Sequence, residues 1–155
     1  IGPNGLLLTD NVKSSYRTGI ELNATYQCHA FRFSNNSAFN HSRIKEENTT
    51  FSPILTPRFI INQEVGYQYR KLGLAVSGRY QDRSYLDFAN TNTIKGYVLV
   101  NARAEYTIGA CTLSFFVNNI TGAKYYNNGY VEADGTCKLF VQAPANVYAA
   151  FKYRF

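Results

Sequence analysis

Most of the 155 residues of this chain follow a period of two. From Asn146 to Phe155, Val147, Ala149, Phe151, Tyr153 and Phe155 share one parity, and Asn146, Tyr148, Ala150, Lys152 and Arg154 the other. Such alternation describes a β-strand with one apolar and one wet face, because successive side chains of a strand leave opposite sides of the sheet. The pattern recurs: Ile20, Leu22, Ala24 and Tyr26 alternate with Glu21, Asn23, Thr25 and Gln27. Phe59, Ile61, Val65, Tyr67 and Tyr69, interrupted only by Gln63, oppose Asn62, Glu64, Gly66 and Gln68. Leu72, Leu74, Val76 and Tyr80 oppose Ser77, Arg79, Gln81 and Arg83; Val98, Val100, Ala102, Ala104, Tyr106 and Ile108 oppose Asn101, Arg103, Glu105 and Thr107. Charge inside these runs therefore falls almost wholly on one parity. The other must meet a second sheet or hydrocarbon, where a mid-bilayer Arg or Lys costs roughly 2 to 4 kcal/mol.

The connections separate those two cases. Short links fall at 28–30, 70–73 and 109–111, long ones at 43–57, 87–95 and 121–143, and the two kinds alternate strictly. That is an up-and-down meander with tight turns at one end and loops at the other, as in outer-membrane barrels. The expected fold is all-β, an antiparallel up-and-down transmembrane β-barrel. Its seven strands are placed at 15–27, 31–42, 58–69, 73–84, 96–108, 111–120 and 145–155, the second being the least regular. Seven is about a third of the wall of a plugged barrel of ~22 strands. The 13 Tyr and 11 Phe suit aromatic girdles at the headgroup level. No run of about 18 apolar residues exists to make a transmembrane helix, a test that barrel strands escape because half of each is polar.

Two other architectures compete. A complete small eight-stranded barrel would need residues 1–9 as a paired strand, although Gly2-Pro3-Asn4-Gly5 reads as a turn. A secreted soluble β-sandwich adhesin would need a second sheet over Phe59, Ile61 and Val65.

The net charge of +6 comes from 16 basic against 10 acidic residues, dispersed over strands and loops with no nucleic-acid motif; no nucleic-acid partner is expected. Cys28 and Cys111 occupy different short turns, about four strand spacings or roughly 19 Å apart, too far for a disulfide. Cys137 lies in a long loop at the other end. The expectation is three free thiols, or a bond from Cys137 to another part of the protein. The histidines, His29 and His41, are separated by a strand, and no CxxC spacing or nucleophile constellation occurs, so neither a metal site, a cofactor nor an enzyme is expected.

Particular residues add a resemblance. Asp10-Asn11-Val12 followed by Gly19-Ile20-Glu21-Leu22, then Thr56-Pro57-Arg58, Gly78-Arg79-Tyr80, Tyr85-Leu86-Asp87, and Tyr97 with Asn101-Ala102-Arg103, occur in order. Val117-Asn118-Asn119-Ile120 and Lys124-Tyr125-Tyr126 follow, and Ala143-Pro144-Ala145-Asn146-Val147 opens the last strand. In this order and spacing, residues 10–155 resemble the carboxy-terminal part of a TonB-dependent outer-membrane receptor. Asn118, Asn119, Lys124, Tyr125 and Tyr126 are its most specific signature; Ala145 stands where the family commonly has a basic residue or Gly. Nothing resembles a plug domain, a TonB box or a signal peptide, and there is no Met. The expectation is that residues 1–155 are the carboxy-terminal segment of the barrel of a longer polypeptide.

The resemblance implies a place in the bacterial outer membrane. It also implies import of a scarce nutrient such as a ferric siderophore, haem or cobalamin when TonB pulls on the plug. The implied partners are the rest of the barrel and plug, TonB, the barrel-assembly machinery, outer-membrane lipid and a metal-chelate ligand. Glu64, Arg79, Arg83, Arg103 and Glu105 are the candidates to face the lumen and contact the plug. Phe151, Tyr153 and Phe155, on one parity, resemble the carboxy-terminal signal by which outer-membrane barrels are recognised for assembly.

Overall fold

The computed structural model describes residues 13–155. The expectations for Gly2-Pro3-Asn4-Gly5 and Asp10-Asn11-Val12 lie outside the described residues. In chain order the strands are β1 Ser14–Cys28, β2 Phe31–Lys45, β3 Thr50–Phe51, β4 Phe59–Tyr69, β5 Leu72–Gln81 and β6 Ser84–Tyr85. They continue with β7 Thr93–Ile94, β8 Tyr97–Ile108, β9 Cys111–Asn118, β10 Tyr126–Val131, β11 Cys137–Val141 and β12 Asn146–Tyr153.

The seven long strands form one antiparallel sheet in the order β1-β2-β4-β5-β8-β9-β12, with β3 added to β2 above the end of β4. Chain neighbours are sheet neighbours throughout, which is the expected meander. Within the described residues β1 pairs only with β2, and β12 only with β9, so the sheet does not close on itself.

Register turns the period of two into two surfaces. One row crosses all seven strands as Tyr26, Phe33, Val65, Val76, Ala102, Val117 and Val147. Three residues along, on the opposite face, a row runs Asn23, Asn36, Asn62, Arg79. The apolar face is bare: Ile20 is 72% exposed and Phe151 67%. Among the described residues no second sheet covers Phe59, Ile61 or Val65, so the sandwich alternative is not favoured. Among the described residues the buried apolar side chains are Ala75, which lies in β5, and Leu86 and Ile94, which lie in the connections. A sheet with both faces uncovered and no core of its own is barrel wall, whose apolar face is completed by lipid.

The three short links are two-residue hairpin loops at 29–30, 70–71 and 109–110. Each places its first residue at positive φ: His29 at 52°, Arg70 at 50° and Gly109 at 57°. A two-residue loop that starts this way matches the twist of the strands it joins.

The long links are not plain loops, as the sequence suggested, but carry β3, the β6–β7 pair and the β10–β11 hairpin. The expected strand at 73–84 stops at Gln81 and the one at 31–42 runs on to Lys45. All three cysteines are free, and Cys28 and Cys111 lie five strand steps apart, not four.

Candidate functional site

Two of the hollows on the polar face lie one above the other. The upper one, about 610 Å³, is lined chiefly by Asn23, Asn36, Asn62, Glu64, Arg79 and Asn101. The lower one, about 400 Å³, lies among Gln27, Arg32, Glu64, Gln68, Arg103 and Glu105.

Hydrogen bonds tie this face together across strands. Asn36 donates through Nδ2 to Asn23 Oδ1, Asn62 Nδ2 donates to the Asn36 carbonyl at 3.3 Å, and Arg79 donates to Asn62 Oδ1 at 2.9 Å and Gln81 Oε1 at 3.0 Å. The Tyr97 hydroxyl reaches the same Gln81 oxygen at 3.0 Å, so the track spans five strands. Arg103 Nη2 bonds Glu64 Oε1 at 3.2 Å across β5, where register places the small Ala75 and Ser77 beneath the pair. Ser114 Oγ donates to Glu105 at 3.4 Å. Arg83 lies beyond the end of β5, with its guanidinium 5.9 Å from the centre of the Tyr85 ring. Thus Glu64, Arg79, Arg103 and Glu105 share the polar face, and Arg83 belongs to the outer connection.

The outer connections form one packed layer. The Ser52 amide donates to Asn90 Oδ1 at 2.7 Å and Asn90 Nδ2 returns a bond to the Ser52 carbonyl at 3.0 Å. Arg43 donates to Ser52 Oγ, and the rings of Phe51 and Phe88 meet edge to face at 5.5 Å. Asp87 gathers four donors: the Thr91 amide and hydroxyl at 2.9 and 2.7 Å, and the Asn92 amide and side chain at 3.1 and 2.7 Å. Its desolvation pushes the carboxyl up, but these bonds from Thr91 and Asn92 outweigh it and hold Asp87 below the usual carboxylate range. The β10–β11 hairpin leans on this loop. Cys137 Sγ donates to Asn92 Oδ1 at 3.3 Å, and a Cβ on Gly129 would sit 3.3 Å from Leu86 and only 2.5 Å from the Lys138 carbonyl. Asp87 enters the sequence reading only as the end of Tyr85-Leu86-Asp87, and Asn90 and Asn92 are not singled out there, although the run Asp87-Phe88-Ala89-Asn90-Thr91-Asn92 has the turn chemistry to announce them.

The signature residues form the joint between wall and loops. Asn119 has φ 50° and is only 3% exposed. Its Oδ1 accepts the Ala123 amide at 2.9 Å, its Nδ2 donates to the Ala123 carbonyl at 2.9 Å and the Ala143 carbonyl at 3.4 Å, and its own amide bonds Asn101 Oδ1 at 2.9 Å. Asn tolerates the left-handed region and its amide closes the turn, which explains the residue type. Asn118 Nδ2 donates to Asn146 Oδ1 at 3.0 Å, tying β9 to β12. Tyr125 packs on Tyr97 with ring centres 4.7 Å apart, Tyr126 opens β10, and Lys124 is exposed. At the other end, Phe151 and Tyr153 lie on the apolar face of β12, and the Phe155 ring stands edge to face on Tyr153 at 5.1 Å.

The profile of a family described as TonB dependent receptor-like, beta-barrel, matches residues 1–120. Among solved structures the chain is similar to the ferric citrate transporter FecA in its unliganded form, at 20% identity and TM-score 0.83, over 91% of this chain and 24% of that one. It is similar to the ferric yersiniabactin uptake receptor FyuA from Yersinia pestis, at 17% identity and TM-score 0.79, over 91% and 24%. The siderophore receptor PiuA from Acinetobacter baumannii gives 18% identity and TM-score 0.74, over 89% and 22%. At such identities the likeness is one of fold, and the chain spans less than a quarter of the length of each structure. No curated protein matches the sequence.

Proposed function

The chain belongs to the TonB-dependent receptor β-barrel family of the bacterial outer membrane, and from that premise we propose that it supplies wall and outer vestibule to a receptor importing a ferric siderophore. The observation that carries this reading is the two-faced, open sheet: an apolar surface for lipid on one side, and on the other a hydrogen-bonded polar track above a lumenal hollow. FecA, FyuA and PiuA, whose folds it shares, are a ferric citrate transporter, a ferric yersiniabactin uptake receptor and a siderophore receptor. These names favour a ferric chelate over haem or cobalamin.

In this reading further strands of the receptor pair with the free edges of β1 and β12, since unpaired backbone groups in hydrocarbon cost several kcal/mol each. The Arg103–Glu64 pair and Arg79 present fixed charge and amide groups to a plug domain inside the ring. The packed outer layer offers Asn, Thr and Tyr side chains to the arriving chelate. TonB acts through the plug, and Phe151, Tyr153 and Phe155 serve the assembly machinery.

The test is uptake of radioactive iron, as a panel of ferric siderophores, by cells whose only siderophore receptor is the full-length protein. At least one chelate is expected to enter, and entry should cease when TonB is deleted. Uptake of none of them, or uptake indifferent to TonB, contradicts the proposal.

A further inference from the structure

A third hollow of the polar face, about 620 Å³, lies beyond the Asn23–Asn36–Asn62–Arg79 row at the outer ends of β1, β2 and β4. Register sets its floor. Gly19 of β1 faces Asn40 of β2, and the Asn40 amide donates to the Arg58 carbonyl at 2.8 Å, so Gly19, Asn40 and Arg58 make one row. One step outward stands Arg17, opposite Ser42; one step inward stand Glu21, Ala38 and Ile60. The segment Leu55-Thr56-Pro57 closes the outer side. It is held there by a bond from the Leu55 amide to the Tyr85 carbonyl at 2.8 Å and one from the Thr56 hydroxyl to the Ile54 carbonyl at 3.0 Å.

The middle of the hollow carries no side chain, because a Cβ on Gly19 would run into the Phe39 carbonyl. Donors stand around that gap. Arg17 Nε donates to Ser42 Oγ at 3.0 Å, and the buried Ser42 hydroxyl donates to Asn40 Oδ1 at 2.8 Å. This relay fixes the Arg17 guanidinium and occupies the Asn40 oxygen, which leaves the Asn40 amide N–H groups as donors. Both arginines are exposed, and neither belongs to an ion pair among the described residues, where the pairs are Arg103–Glu64 and Lys138–Glu132. Glu21 is the one acid in the lining, so two positive charges stand against one negative.

We infer that this hollow receives a free carboxylate of an anionic ferric chelate, so that the receptor selects polycarboxylate complexes over neutral or cationic ones. The inference rests on the proposed transport and names the charge class of its cargo. A carboxylate presents two coplanar oxygens that match the guanidinium fork. Arg17 and Arg58 start two strand spacings, about 10 Å, apart, a gap that two long side chains close around one anion. A neutral arm would displace water from both guanidiniums and return no charge in exchange. Glu21, inward of Gly19, repels an anion that moves deeper and so keeps it at the level of both arginines. The hollow lies between the outer connections and the polar track, on the way from vestibule to lumen.

The experiment measures equilibrium binding of radioactive-iron complexes to the purified full-length receptor in detergent. The probes are two polycarboxylate complexes, ferric dicitrate and ferric rhizoferrin, a neutral ferric trihydroxamate, a cationic ferrioxamine and a ferric tris-catecholate, whose charged oxygens are already bound to iron. A polycarboxylate complex is expected to bind at least tenfold more tightly than any of the other three classes. Arg17→Gln and Arg58→Gln should each weaken it roughly ten- to hundredfold, the size of a lost charged hydrogen bond, while keeping the heat-modifiable mobility of a folded barrel on gels. Glu21→Gln should tighten it severalfold, a gain that a merely structural role would not give. Tightest binding of a neutral, cationic or catecholate complex, or wild-type affinity in both arginine variants, would overturn the inference. TonB-dependent uptake of one of those other classes would do so while leaving the transport reading in place, whereas uptake of no chelate at all would remove the reading itself.

Discussion

Asn119 concentrates in one side chain what holds the wall to its outer connections. It combines a left-handed backbone, three side-chain bonds to main-chain groups of residues 123 and 143, and near-complete burial. Asn119→Ala strands those groups and keeps the unfavourable φ, so a loss of roughly 2 to 3 kcal/mol is expected. Urea unfolding of the full-length receptor in detergent would show the midpoint fall, and an unchanged midpoint would count against the staple role. Asp87 is tied to pH. Its carboxyl is lower in the folded loop than in the unfolded chain, so its contribution is fully present above the ordinary carboxylate value of about 3.9 and is lost as pH falls through the depressed one. Hydrogen-exchange protection factors at Thr91 and Asn92 should hold from neutral pH to about pH 4 and collapse below it. Protection that is flat into stronger acid would remove Asp87 from this role. Motifs in the sequence name both Asn119 and Asp87 but not the cluster around Asp87, because a knot of Asx and Thr side chains has no periodicity to reveal it.

At the scale of elements, strands were legible and loops were not. β8 and β12 keep their apolar parity over their whole length, and β4 and β5 break it only at Gln63 and Gly78, so their existence and approximate bounds follow from alternation alone. β2 is the irregular one because Asn35 and Ser37 sit on its apolar parity, and Gln63 in β4, which reads as a single interruption, is their neighbour. That those exceptions adjoin one another is visible only when register sets them side by side. The same holds outside the membrane, where Ser52 and Asn90 find each other across 38 residues. The polar-face residues were readable by parity, except Arg83, because β5 ends at Gln81 and frees it to lie over Tyr85. For β12, whose apolar side ends in Phe151, Tyr153 and the fully exposed Phe155, an assembly role makes a simple prediction. Deleting Phe155 from the full-length receptor should reduce its insertion several-fold, measured as the folded fraction in outer-membrane preparations. Insertion at the wild-type level would leave Phe155 as a girdle residue only.

For the whole molecule, one geometric fact decides: a seven-stranded sheet with an apolar surface that nothing among the described residues covers and a polar surface that binds itself together. Family membership and the proposed transport both require that the first surface meet lipid and the second an enclosed aqueous space. Strand β5 tests this most directly, since Val76 and Ser77 are adjacent in sequence and opposite in direction. Spin labels placed singly at Cys replacing each of them, in the full-length receptor reconstituted in bilayers, would be read by collision with oxygen, which concentrates in lipid, and with a water-soluble nickel chelate. The account predicts oxygen contact dominant at 76 and nickel contact dominant at 77, repeating with period two along β5. Equal accessibility at the two sites, or the reverse order, would contradict it.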